Sequence, residues 1–300
     1  MFCIFKERVI FKTLNNYTLS TTKFKKIGIG VAFSPNLKAN IFEASRLALV
    51  MDSELVLVHV GEENEEKKAT IDDHLASFSK RKLKYSILFL PGAPVDIILS
   101  AIKKHDIDLM ILGALKRESF FKYYLGSIAR EITRKADCSI LLLINPSVDR
   151  VPCKHIVVNG LKDPKTKETI NYAFYVGEKL NASRITVVEE VGQDEVNIRV
   201  DDDKTLRQST IIRERLMNRE NMRVKKLLEK VPEEFSNGIS VKSQPIFGKR
   251  GYSIGHYAQV VRADLLVMNA PIKTSFWDRL FPHDIEHILG ELPTDVLIIR

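Results

Sequence analysis

Residues 108–144 read DLMILGALKRESFFKYYLGSIAREITRKADCSILLLI. The unbroken apolar run Leu109 to Leu112 suits a strand covered on both faces, as in a parallel sheet. Gly113 ends it, and a basic, aromatic loop leads to Gly126-Ser127, where helical spacing begins. That helix stops near Asp137, and a second apolar run, Ile140 to Ile144, completes a unit of strand, glycine loop, helix and strand. Helix N-termini present unpaired N–H groups and a positive dipole, so the turn is a candidate phosphate cradle.

The unit occurs twice. Leu90 to Ile144 lies over Ile246 to Arg300 without a gap at an offset of 156, placing Asp108 on Asp264, Phe120 on Phe276 and Ile140 on Val296. Upstream the offset is 129, with Ile27 on Ile156, Ala44 on Ala173 and Val56 on Ile185. The difference, 27 residues, marks an insertion between the second and third strands of the second copy. The expected organisation is an N-terminal extension over 1–25, a first domain over 26–146, a polar linker containing Pro146 and Pro152, and a second domain over 155–300.

Outward from the opening unit, Ile27 to Phe33, Leu55 to Val60 and Tyr85 to Leu90 read as strands. Lys38 to Met51, a stretch around Ile71, Leu75 and Phe78, and Val95 to Lys104 read as helices. Five strands alternating with four helices predict an α/β fold: two doubly wound, five-stranded parallel-sheet (Rossmann-like) domains in tandem. Such sheets bind ligands at the carboxyl ends of strands where the strand order reverses. The tips to watch are Ala32 to Asn36, Val60-Gly61 and Gly113 to Lys116. In the insertion, Lys204 to Lys230 predicts a long helix with an apolar stripe of Leu206, Ile212, Leu216, Val224, Leu227 and Leu228. Its arginines, Arg207, Arg215, Arg219 and Arg223, read as a solvated basic face rather than a partner or membrane surface.

Composition is that of a globular chain, 45% hydrophobic and 28% charged, with a net charge of +8 that is modest for 300 residues. No zinc, RNP or helix-turn-helix pattern accompanies the charge, so nucleic acid is not expected as a partner. No apolar run reaches the ~18 residues of a membrane span, and Lys6, Glu7 and Arg8 interrupt the opening MFCIFKERVIF, against a secretory signal. Cys3, Cys138 and Cys153 lack metal or CxxC spacing, which fits a reducing, cytoplasmic setting. His283 and His287 stand four apart, but their Glu does not follow the first His as in HEXXH, so no metal is expected. His59 reads as structural. Ser127 has no triad partners in the sequence, and no paired carboxylates suggest an enzyme.

The stretches KKIGIGVAFSPN, LVLVHV, PGAPVDIIL and the opening unit in the first copy, with FGKRGYSIGHYA, ADLLVMNAPIKTSFWDRLF and PTDVLIIR in the second, resemble universal stress protein domains. In that order, and repeated, they make the chain from Lys26 onward similar to a tandem universal stress protein. The resemblance implies a non-enzymatic stress-response regulator that binds ATP or a related adenine nucleotide without a metal of its own. Its glycine pattern G-x2-G-x9-G-S/T falls on Gly113, Lys116, Gly126 and Ser127, the expected nucleotide-binding residues. It also implies dimerisation through the last strands, here an intrachain pseudo-dimer, with a homodimer and unidentified protein partners as further associations. Two positions depart from the pattern: Lys116 stands for the second glycine, and Ala32 for an Asp after the first strand. A lost bond to a charged group costs about 1–3 kcal/mol, roughly tenfold in affinity or more. In the second copy Asn269 replaces the first glycine and Pro282-His283 replace Gly-Ser, so that site is expected to be degenerate. The alternative function is a ligand-free interaction module working through its tandem surface.

Overall fold

The computed structural model describes residues 23–116, 123–196, 198–249, 251–270 and 284–300. Strand and helix alternate from the start: β1 (Lys26–Val31), α1 (Leu37–Met51), β2 (Glu54–Val60), α2 (Glu65–Ala76), β3 (Tyr85–Leu90), α3 (Pro94–Lys104) and β4 (Leu109–Gly113). A two-stranded ribbon, β5 (Leu115–Lys116) and β6 (Tyr123–Tyr124), precedes α4 (Ser127–Lys135) and β7 (Ser139–Leu143). The second half runs β8 (His155–Asn159), α5 (Thr166–Leu180), β9 (Arg184–Gly192), α6 (Asp203–Leu228), α7 (Glu233–Ser236), β10 (Ser240–Gly248), α8 (Tyr252–Val260), β11 (Leu265–Asn269), α9 (Asp284–Gly290) and β12 (Asp295–Ile299).

Ten of these strands form one sheet in the order β10-β9-β8-β11-β12-β7-β4-β1-β2-β3. Every neighbouring pair is parallel except β7 and β12, which run antiparallel. Helices cover both faces, and strand residues alternate between them. Ile27, Ile29, Leu109, Ile111 and Leu141 point to the side of α1, α2, α5 and α7. Val56, Met110, Leu112, Ile140 and Leu142 point to the side of α3, α4, α8 and α9. Two-sided burial is why the strands read as continuous apolar runs, each buried Leu or Ile contributing about 1.5–3 kcal/mol. Gly28 is required by packing: a Cβ there would stand 2.8 Å from Met110 Sδ and 2.9 Å from Ile107 Cδ1.

Equivalent positions do equivalent work in the two halves. Asp108 Oδ2 accepts the N–H groups of Lys25 and Lys26 at 2.8 and 3.0 Å, and Asp264 Oδ2 accepts those of Lys154 and His155 at 2.7 and 2.8 Å. Asp52 and Asn181, 129 apart, end α1 and α5 in the left-handed conformation at φ 52° and 57°. Where β7 meets β12, Leu141 pairs with Leu297, and these residues differ by the repeat offset of 156. The same exchange governs the flanking bonds. Ile144 N–H donates to Asp295 Oδ1 at 2.9 Å, and Arg300 N–H, at the position equivalent to Ile144, donates to Ser139 Oγ at 3.3 Å. Arg130 of α4 reaches Glu286 of α9 at 3.4 Å, again across an offset of 156.

The insertion helix departs from the expected picture. α6 starts with a capping box, the Asp202 carboxylate accepting Thr205 N–H at 2.7 Å, and it packs on β9 and β10. Its first half leaves Leu206 and Ile211 exposed. Its supposedly solvated arginines include Arg223, turned inward onto buried acids, and Arg219, paired with Glu195 at 2.9 Å and Glu220 at 2.6 Å. Buried Glu189 and Glu220 draw the Arg223 guanidinium in, while Arg207, Arg215 and Arg219 keep the solvated face expected of them.

Candidate functional site

The strand order reverses between β1 and β4, leaving a crevice at their carboxyl ends in the first half. After Val31 the chain turns through exposed residues 32–36 before α1, held by Ser34 N–H on Ala32 O at 2.8 Å and Leu37 N–H on Ser34 O at 3.0 Å. Gly113 ends β4, exposed; a Cβ on it would stand 3.6 Å from the Asn40 side-chain amide of α1. Among the described residues Asn40 Oδ1 is buried without a hydrogen-bond partner, an acceptor with spare capacity beside the missing Cβ.

Gly126 is the N-cap of α4, at φ −63° and ψ 162°, a conformation open to any residue. Its importance is spatial: a Cβ would stand 3.1 Å from Leu115 Cδ1 of the ribbon. Lys116 follows Leu115 on β5, paired with Tyr123 of β6, so the ribbon connects the Gly113 end of the crevice with the α4 N-terminus. Ser127 is the exposed first helical residue. The first i→i−4 bond of the helix runs from Arg130 N–H to Gly126 O at 2.9 Å, so the N–H groups before it are free of intrahelical partners. The second half braces this corner: Leu125 N–H donates to Leu289 O at 3.2 Å, and Leu292 N–H to Tyr123 O at 3.0 Å.

At the neighbouring strand tips lies a cluster that the sequence did not announce. His59 Nδ1 donates to Val31 O at 3.0 Å, and Lys67 Nζ donates to Nε2 at 3.2 Å, which assigns the neutral ring its tautomer. Phe33 and Phe89 meet the imidazole edge-on, at centroid distances of 5.0 and 5.5 Å. His59 is thus held on every side, as a structural residue is, and Lys67 Nζ also lies 5.8 Å from the Phe33 ring. Only folding brings Lys67 of α2 beside the β1 tip, so no spacing in the chain could reveal it.

In the second half side chains fill the corresponding place. Asn269 stands where the first half has Gly113; its amide donates to Thr166 Oγ1 at 3.3 Å, and Thr166 Oγ1 donates to Leu161 O at 2.7 Å. Arg223 donates to the carbonyls of Gly160 and Leu161 at the tip after β8 and pairs with Glu189 and Glu220. Glu190 accepts Gly251 N–H at 2.9 Å and Ile254 N–H at 2.7 Å at the start of α8. Leu161 is the counterpart of Ala32. Here a guanidinium engages the carbonyls at the tip after β8, whereas in the first half the equivalent carbonyls of Val31 and Ala32 accept from His59 Nδ1 and Ser34 N–H.

Phe120, Phe276, Pro282 and His283 lie outside the described residues. Among the described residues no cluster of His, Cys, Asp and Glu could hold a metal ion, and no helix is long and apolar enough to cross a membrane. Burial pushes the thiols of both Cys138 and Cys153 up to about 12, leaving two neutral, inert side chains.

A comparison with curated proteins finds no match. Among solved structures, the chain is similar to a protein described as functionally unknown from Pseudomonas aeruginosa PAO1, at 17% identity and a TM-score of 0.69, covering 93% of this chain and 94% of that one. It is likewise similar to a universal stress protein from Archaeoglobus fulgidus DSM 4304, at 14% identity and a TM-score of 0.64, covering 92% and 98%. These likenesses establish the shared α/β fold across nearly the whole chain. Residues 23–143, the half that carries the glycine crevice, match the universal stress protein family model.

Proposed function

We propose that the chain is a tandem universal stress protein, a non-enzymatic regulator whose first half binds ATP or a related adenine nucleotide. The observation that carries this reading is the crevice between Gly113 and the α4 N-terminus at Gly126, with the unpartnered Asn40 Oδ1 inside it. Phosphate oxygens would take the free N–H groups around Ser127, Lys116 would add its ammonium, and Asn40 would accept a donor of the nucleoside. The second half, closed by Asn269 and Arg223, holds no nucleotide and pairs with the first through β7 and β12 as an internal pseudo-dimer.

Titration calorimetry of ATP into the full chain tests this. Gly113→Asn copies the second-half residue into the crevice and is expected to abolish binding; Gly126→Val obstructs the helix start and does the same. Lys116→Ala weakens binding by about tenfold and lowers its salt dependence. Binding that survives both glycine substitutions places the ligand elsewhere. The second reading, a ligand-free interaction module, is favoured by Ala32, whose methyl offers a nucleoside no acceptor. Failure of the native chain to bind any adenine nucleotide selects it.

A further inference from the structure

A second concave site lies apart from the crevice. A cavity of about 320 Å³ opens on the α1 and α5 face of the sheet, beside the junction of β7 and β12, and none of Gly113, Lys116, Gly126 or Ser127 lines it. Leu109, Leu141 and Leu297 of the sheet line it, as do Leu47 of α1 and Leu180 of α5, and the linker from Ile144 to Cys153 contributes several lining residues. Val50 and Val151, both exposed, stand at its mouth. A mostly apolar cavity of this size with a few polar groups is what a small amphipathic molecule needs.

The polar groups decide the ligand's charge. Arg46 is fully engaged: it pairs with Glu43 at 3.0 Å and donates to the carbonyls of Ser147 and Val148. Glu43 also accepts Ser147 N–H at 3.3 Å. Asp264 is bound to two backbone N–H groups, and Arg150 is exposed to solvent. Asp295 differs. One oxygen accepts Ile144 N–H, and among the described residues no Lys, Arg or His pairs with the carboxyl. Burial, reinforced by Glu43 and Asp264, pushes this carboxyl up to about 7. Cys153 stays neutral, and Asp295 is the cavity group identified as changing charge near neutrality.

We propose that this cavity binds a compact apolar molecule bearing a primary ammonium group, which pairs with Asp295 while its hydrocarbon body lies on Leu47, Leu180 and the sheet. The pairing needs the carboxylate form, so affinity rises with pH through the neutral range and is independent of the nucleotide crevice.

The probes are octylamine, octanol and octanoate, titrated into the full chain at pH 6 and pH 8 and followed by calorimetry. Octylamine is expected to bind saturably, about tenfold tighter at pH 8 than at pH 6, in proportion to the ionised fraction of Asp295. Octanoate should not bind. Asp295→Asn, which keeps an acceptor for Ile144 N–H, should erase both the pH dependence and the preference over octanol. Val50→Trp should block the mouth without touching the carboxyl. The proposal is overturned by the absence of saturable octylamine binding, by octanol or octanoate binding as tightly, or by unchanged octylamine binding in an Asp295→Asn protein that melts like the parent.

Discussion

Asp295 occupies the place that Ser139 holds in the first half, and the exchange of hydroxyl for carboxyl has an energetic signature. Its carboxyl is pushed from 3.8 to about 7 mainly by burial. Between those two values the folded protein binds a proton that the unfolded chain releases, so this residue lowers stability as pH rises through the window. The penalty is absent below the unfolded value and complete above about 7. Asp295→Asn is therefore expected to raise the denaturation midpoint at pH 8 and leave it nearly unchanged at pH 4; an equal shift at both would mean the carboxyl is not perturbed. At this scale the sequence was informative where a residue acts on its own backbone or its immediate neighbours. Gly113, Gly126 and Ser127 were legible because a glycine ends a strand or precedes a helix locally. Asn40 was not, because its unpaired oxygen becomes significant only when α1 is laid beside the β4 tip.

The long helix α6 shows what periodicity can and cannot tell. Its extent, Asp203–Leu228, lies within two residues of the expected 204–230, and Asp202 caps it. Its inward stripe holds at Val224, Leu227 and Leu228 but not at Leu206, which is exposed, and Arg223 joins the inner face, because a 3.6-residue period groups residues into stripes without saying which stripe the neighbouring strand requires. The missing clue was Glu189, an acid late in the strand ITVVEEV that faces the arginine-rich helix, while its neighbour Glu190 faces the start of α8. In the folded chain Glu189, Glu190 and Glu220 are all buried, and Arg223 links two of them while engaging the Gly160 and Leu161 carbonyls. Removing Arg223 strands the buried Glu189 carboxylate in a medium that cannot solvate it, while Glu220 keeps Arg219 and Lys162. Arg223→Met is expected to cost about 3–5 kcal/mol in chemical denaturation, clearly more than Asp202→Ala at the exposed cap. A cost for Arg223→Met no larger than that of the cap variant would show that the network is solvated after all.

Across the whole molecule, the offset of 156 read from the sequence reappears as geometry: Leu141 meets Leu297, and Arg130 meets Glu286, each pair made of equivalent residues. Contact between equivalents is the mark of a two-fold relation, in which each half offers the other the same surface. The apolar strands Ile140 to Ile144 and Val296 to Ile299 were visible in the chain as edges in need of cover. The charges at the axis were not, since a sequence does not say which equivalents will touch. Those charges discriminate. Two first halves paired in this way would set Arg130 against Arg130, two second halves Glu286 against Glu286, and only the mixed pair sets arginine against glutamate, with Arg134 adding a second contact to Glu286 at 2.8 Å. The groups are partly exposed, so the attraction and each repulsion amount to about 0.5–1 kcal/mol, a several-fold preference rather than an absolute one. Residues 23–150 and 151–300, produced separately and mixed, should therefore associate with each other more tightly than either does with itself, as sedimentation or native mass spectrometry would record. Glu286→Arg in the second fragment sets arginine against arginine in every pairing and should abolish the preference, and adding Arg130→Glu in the first should restore it. Fragments that remain monomeric at high concentration would refute association through β7 and β12; parent fragments that pair statistically, or a mixed preference that persists with Glu286→Arg, would refute the selective role of the charges.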